Sequence, residues 1–298
     1  MRYLLILLTL FLFSCEDVVM LESPSSPAYF VVEATLTNAP GPQSIMLSKS
    51  QAYFDNATAP AVSAAQVRVT DDTGNAYVFT ESATPGTYTW TPKDSKEVMG
   101  TVGRTYTLAV NWSGTSFAAK AKMNPVPAVD SILYQAATAN ARQAGDDKPK
   151  EGFEAQFFGR DLKGVGDCYR IKYYKNGRLF NATSNILIVY DSALQRVAGT
   201  DGLMFNLPVR SAISPELYVA NDKIKVEIYS ISNDQFSFYS QARLELNNAG
   251  LFAIPAANIP TNIQTTAGSM PAAGWFGVSA MSSLEVQVDP TKARKNLR

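Results

Sequence analysis

Ala65-Gln66-Val67-Arg68-Val69-Thr70-Asp71-Asp72-Thr73-Gly74-Asn75-Ala76-Tyr77-Val78-Phe79 sets two short runs of β-branched and aromatic residues on either side of a turn cluster. Val67 and Val69 alternate with Arg68 and Thr70, the period-two pattern of a strand with one buried face. Asp71 to Asn75 supplies turn formers, and Gly74 is free to take the positive φ that a tight reversal needs. The stretch predicts a β-hairpin. Its acids also resemble half of a calcium loop, but the later bidentate carboxylate that completes such a loop is missing.

Outward from this hairpin the same signals recur at short spacing. Strands are expected over 29–36, 44–48, 86–90, 104–111 and 115–121, the last two joined by Trp112-Ser113-Gly114. Seven strands over residues 28–124 suit an immunoglobulin-like β-sandwich. Tyr106, near the start of the sixth strand, is placed either to bond its hydroxyl back to main chain or to be an ordinary core tyrosine. The prolines of Asn124-Pro125-Val126-Pro127 have no amide hydrogen to donate, so 125–130 reads as a linker.

A second β-sandwich is expected over 131–290, with strands at 131–135, 153–158, 168–174, 186–190, 223–230, 275–281 and 284–288. Ser232-Asn233-Asp234 is able to cap one helix, and Phe236, Tyr239, Arg243 and Leu246 follow at helical spacing. The fold class is therefore all-β with one helix, in two sandwiches. A Pro-, Ala- and Asn-rich loop over 248–273 is long for a compact domain and is a candidate recognition element. Residues 291–298 read as a solvated basic tail.

The N-terminus opens with Arg2 and an apolar run to Phe13, about half the roughly 20 residues needed to span a bilayer. That is the pattern of a secretory signal, and Leu12-Phe13-Ser14-Cys15 resembles a bacterial lipobox. Residues 1–14 are expected to be a signal peptide, Cys15 the lipidated mature terminus and 15–27 a tether. Two or three acyl chains on one cysteine meet the two-signal requirement for stable anchoring. Glu16 and Asp17 read either as a surface-export signal or as a solvated tether, so the anchored chain is expected at the cell surface or on the periplasmic face. With Cys15 lipidated, Cys168 has no disulfide partner and reads as a small buried hydrophobe.

Composition narrows the chemistry. The 298-residue chain contains no histidine, which excludes a Ser-His-Asp triad, a Cys-His pair and the commonest metal ligand. Lys+Arg and Asp+Glu both number 26, so no basic excess points to nucleic acid. No phosphate-binding glycine loop or Gly-x-Ser-x-Gly elbow is present. Glu151, Glu154, Asp161 and Asp167 cluster in sequence and offer carboxylates for a glycosidase, but loop carboxylates are commonly just solvated. No catalytic residue, cofactor or metal is expected. Trp90, Trp112 and Trp275 are either core residues or rings for stacking on sugars. Trp112, Asn262, Ile263, Trp275 and Phe276 form the expected partner or ligand surface. Asp130-Ser131-Ile132 and Asp191-Ser192-Ala193 resemble acceptors of O-linked glycans.

Several short pieces occur in a fixed order: Cys15, Val31-Val32-Glu33-Ala34, Asn38-Ala39-Pro40-Gly41-Pro42, Leu47-Ser48-Lys49-Ser50, Gly103-Arg104-Thr105-Tyr106, Val126-Pro127-Ala128-Val129-Asp130, Tyr169-Arg170-Ile171, Val226-Glu227-Ile228-Tyr229, Phe238-Tyr239, Pro260-Thr261-Asn262-Ile263 and Gly274-Trp275-Phe276-Gly277. The ordered set resembles the domain of unknown function 4249 family across nearly the whole mature chain. That resemblance implies an outer-membrane lipoprotein, often encoded beside a TonB-dependent receptor, with no established catalytic residues. The expected role is a non-enzymatic accessory or binding subunit of a TonB-dependent transport complex. The alternatives are a structural subunit of an outer-membrane assembly or adhesion complex and, last, a carboxylate-based glycosidase.

Overall fold

A computed structural model describes residues 27–52, 55, 57–138, 148–164, 166–180, 186–190, 204–208, 216–248 and 257–295. Cys15, Glu16, Asp17 and the second glycan-type motif lie outside the described residues. The described chain is mostly β-strand with one α-helix, as its alternating patterns predict.

The first hairpin forms between β3 (Gln66–Asp71) and β4 (Ala76–Glu81), with Gly74 at φ +92° in the turn. β1 (Phe30–Thr37), β2 (Gln43–Lys49), β5 (Thr87–Trp90), β6 (Thr105–Trp112) and β7 (Thr115–Lys122) complete the seven expected strands. β4 pairs through Ala76–Phe79 with β3 and through Thr80 and Glu81 with β5, so one hydrogen-bonded path runs through all seven. Alternation places Phe30, Val32, Leu36, Val67, Val69, Leu108 and Val110 in one shared core.

Two later strands join this sheet. β15 (Gln264–Ala267) pairs antiparallel with β7, and β16 (Ala272–Ser279) pairs parallel with β1 from Phe30↔Ala272 to Thr37↔Ser279. The result is a nine-stranded sheet ordered β15-β7-β6-β3-β4-β5-β2-β1-β16. The sequence reading placed residues 264–279 in the second sandwich. Strand signals report a buried face without reporting which sheet buries it.

The second core lies between two sheets. β8 (Val129–Thr138), β9 (Glu151–Arg160) and β13 (Met204–Pro208) form one. β10 (Cys168–Lys175), β11 (Arg178–Leu179), β12 (Leu187–Tyr190), β14 (Lys223–Ile231) and β17 (Met281–Gln287) form the other. Ile132, Phe157, Ile171, Tyr173, Val226 and Ile228 meet between them. Pro208 ends β13, an edge strand, where a missing amide donor is tolerated.

Val126 of the expected linker packs against both cores. Ala280 alone separates β16 in one sheet from β17 in the other; its N–H donates to Ser230 Oγ at 2.9 Å, and that hydroxyl donates to Asn124 O at 2.7 Å. The basic C-terminal segment is not a free tail as far as Arg294, whose N–H donates to Tyr134 O at 2.8 Å while Ala293 packs on the second core. The one described helix, α1 (Asn233–Leu246), is capped by Ser232, which accepts from Gln235 N at 3.1 Å. No described helix is long and apolar enough to cross a membrane.

Candidate functional site

With Phe30, Val32, Ala34 and Leu36 turned into the core, β1 presents Val31, Glu33 and Thr35 on its outer face. Register sets Glu33 between Met46 of β2 and Trp275 of β16. α1 covers part of this face. Phe238 packs on Trp275 with ring centroids 5.2 Å apart, and the missing side chain at Gly277 leaves room for Gln235, which a Cβ there would strike.

The other flank of α1 packs on the outer face of β10 and β12. Cys168 Sγ donates to Asn233 Oδ1 at 3.0 Å, Phe236 meets Tyr190 with centroids 5.7 Å apart, and the Arg170 guanidinium lies 4.3 Å from the centroid of the Tyr239 ring. The helix is thus a wedge between two sheets. Cys168 is buried, as its strand position predicts.

Beside the wedge runs a groove of about 1210 Å³. Val31, Glu33 and Met46 line its floor, Phe238, Tyr239 and Leu246 its helical wall, and Ile259 of the late loop its rim. Met46, Leu246 and Ile259 are large apolar side chains left 48, 56 and 37% exposed. Exposed apolar residues gathered in one concavity mark a contact site more than scattered ones do.

Two charges face this apolar space, Arg170 and Glu33. Neither makes a hydrogen bond or ion pair with any described residue, and the ring of Tyr239 is the contact that holds Arg170. The nearby acid, Glu227, is already occupied: Tyr174 donates to it at 2.6 Å, Tyr229 also donates, and Lys225 pairs with it at 2.7 Å. Burial pushes the Glu227 carboxyl up, but these donors outweigh burial and hold it below its ordinary value. Lys172, on the same face as Arg170, is lowered by burial first and then by the Arg170 charge.

Of the residues expected to form a contact surface, Trp275 lines the groove, though Phe238 covers its ring and leaves it 8% exposed. Ile263 and Phe276 are core residues, 4 and 0% exposed. They follow a loop in sequence yet sit on the inward side of their segments. Asn262 is a structural clamp whose Oδ1 accepts from Phe276 N at 2.9 Å and whose Nδ2 donates to Phe276 O at 2.7 Å. Together with Pro260, Thr261 and Lys120 it also lines a smaller polar cleft of about 540 Å³ beyond Trp275.

Trp112 does not stand free at a hairpin tip. Its ring packs 5.9 Å from Phe30, its Nε1 donates to Ser63 O at 3.1 Å, and Lys49 lies over it. Trp90 is in the first core. Glu154 accepts from Gln135 at 2.6 Å, and buried Asp161 accepts from Tyr169 at 3.4 Å. Glu151 is exposed at the start of β9, and Asp167 is half-buried ahead of β10. No group of three or more acidic or cysteine ligands able to hold a metal is found among the described residues. The Asp71 carboxylate serves its own turn, accepting from Thr73 N, Asn75 N and Arg104.

Of the groove residues, Glu33, Arg170 and Phe238 fall within the ordered pieces of the resemblance but were not read as site residues, and Met46 was not singled out at all. Each sits at an outward position of its element, where a charge or thioether looks like solvated surface. The signal is visible only once β1 and β10 are seen to face the same helix.

A comparison with curated proteins found no match. Residues 16–285 match the family described as Domain of unknown function (DUF4249), which is most of the chain and includes every element that builds the groove. The chain therefore belongs to the DUF4249 family.

Proposed function

We propose that this protein is a lipid-anchored outer-membrane protein that acts as a non-enzymatic binding or accessory subunit of a TonB-dependent transport complex. The observation that carries this reading is the groove beside α1, an apolar concavity with two charges that have no ion-pair partner among the described residues and three exposed large apolar side chains. Such a site suits capture of a ligand or partner. The lipobox-like Leu12-Phe13-Ser14-Cys15 supports the anchor, and the family match beginning at Glu16 fits a mature chain that starts beside it. The first sheet, with the Tyr106 hydroxyl tied to main chain, suits an immunoglobulin-like body that presents this surface outward.

Crosslinking in intact outer membranes followed by pull-down and mass spectrometry tests the proposal. A large barrel receptor is expected to be recovered with the protein after mild extraction. A lipoprotein that always runs as a free monomer would overturn it. A deletion defect tied to one nutrient supports transport, whereas envelope damage on every nutrient favours a structural role.

A further inference from the structure

We infer that the groove takes a short apolar peptide with free termini, its C-terminal carboxylate on Arg170 and its N-terminal ammonium on Glu33. This deepens the proposed function and rests on its reading of the groove as a ligand site.

Arg170 carries the first half of the argument. Arg170 is half-buried, and its guanidinium carbon lies 4.3 Å from the centroid of the Tyr239 ring, a contact that holds the group at the groove. None of its donors has an acceptor among the described residues, and Glu227 is satisfied by Tyr174, Tyr229 and Lys225. A planar fork of donors with its partners missing is the geometry that recognises a carboxylate bidentately.

Glu33 carries the second half. It stands on the sheet wall of the same groove, in register between Met46 and Trp275, and has no cationic partner among the described residues. A fatty acid would satisfy Arg170 but lay hydrocarbon over the Glu33 carboxylate, which stripping of water makes costly. A sugar ring needs an open aromatic face, and Phe238 covers that of Trp275. A zwitterion with apolar side chains satisfies both charges and the lining between them. An extended tripeptide spans roughly 10 Å at about 3.3 Å per residue, and a cleft of about 1210 Å³ holds that or a somewhat longer chain.

The test is calorimetric titration of the purified full chain, held in nanodiscs, with trileucine, N-acetyl-trileucine, trileucinamide and decanoate. Saturable binding of trileucine is expected, weakened about tenfold by blocking either terminus. Glu33→Gln should weaken trileucine to the same extent and abolish discrimination against the N-acetyl form, while Arg170→Gln should do so for the amide. Glu33 is exposed, so its variant is expected to fold; if Arg170→Gln does not, the blocked peptides decide that half alone. Absence of saturable binding, equal affinity for decanoate, or losses that fail to pair with the matching terminus would overturn the inference. Binding here needs no barrel. Failed titration beside a recovered barrel rejects only the peptide, and peptide binding without any recovered barrel rejects only the transport partnership.

Discussion

Arg104 donates to the buried carboxylate of Asp71 at 2.6 Å, tying the start of β6 to the turn that follows β3. Burial alone would push the Asp71 carboxyl up, but hydrogen bonds from Asn75, Thr73 and Arg104 outweigh it and hold the group well below the usual carboxylate range. A carboxyl depressed in the folded state contributes stability above its unfolded value, and that contribution is lost as pH falls toward the folded one. Asp71→Asn is therefore expected to be less stable than the native chain at neutral pH, with a gap that narrows below about pH 4. Urea midpoints of both proteins across this range check it. A gap that stayed constant into strong acid would show that the charge of Asp71 is not what stabilises the turn.

Tyr106 closes a second link in the same sheet, donating to Met99 O at 3.2 Å and accepting from Thr101 N at 2.8 Å. Its ring is fully buried, so Tyr106→Phe keeps the packing and removes only the hydroxyl. Two main-chain groups then lose their partner, and the expected cost is about 1–2 kcal/mol. Denaturant unfolding measures it; an unchanged midpoint would mean that water replaces the hydroxyl at no cost.

The hairpin and the Ser232 cap were legible in the sequence because each is settled within a few residues, whereas the Tyr106 bond was one of two open readings that the structure decides. The parallel pairing of β1 with β16 was not, since Phe30 and Ala272 are far apart in sequence and parallel strands carry no turn signal between them. The groove failed to show for the same reason: its charges come from β1 and β10, whose outer faces meet only through α1. Ile263 and Phe276 were mistaken for surface because proximity to a long loop says nothing about which way a strand residue points.

The proposed lipid anchor makes a separate prediction on Cys15. Cys15→Ser should abolish incorporation of labelled fatty acid and leave a larger, unprocessed product on gels, because serine offers no thioether linkage. It should also shift the protein out of the outer-membrane fraction, since the proposed anchor consists of acyl chains at that residue. Continued labelling in the serine variant would refute lipidation at Cys15.

Two glycines of β16 meet different neighbours, one the backbone of β1 and the other the helix that the strand supports. Gly274 has φ +85° and lies opposite Val32, whose carbonyl a Cβ would strike. Backbone on one side and a left-handed conformation on the other leave nothing to yield, so Gly274→Ala is expected to cost about 3 kcal/mol and to weaken the β1–β16 pairing. Gly277 faces the end of the Gln235 side chain instead, and a flexible amide is able to move aside. Gly277→Ala should therefore cost only about 1 kcal/mol in global unfolding. In a Trp90→Phe, Trp112→Phe background, where Trp275 is the sole tryptophan, the displaced amide should tilt α1 and loosen the Phe238–Trp275 contact, seen as a red shift in emission when Gly277→Ala is added. If both variants lost the same stability and the emission did not move, α1 would be locked onto β16 rather than resting on it, and the groove width would not depend on that contact.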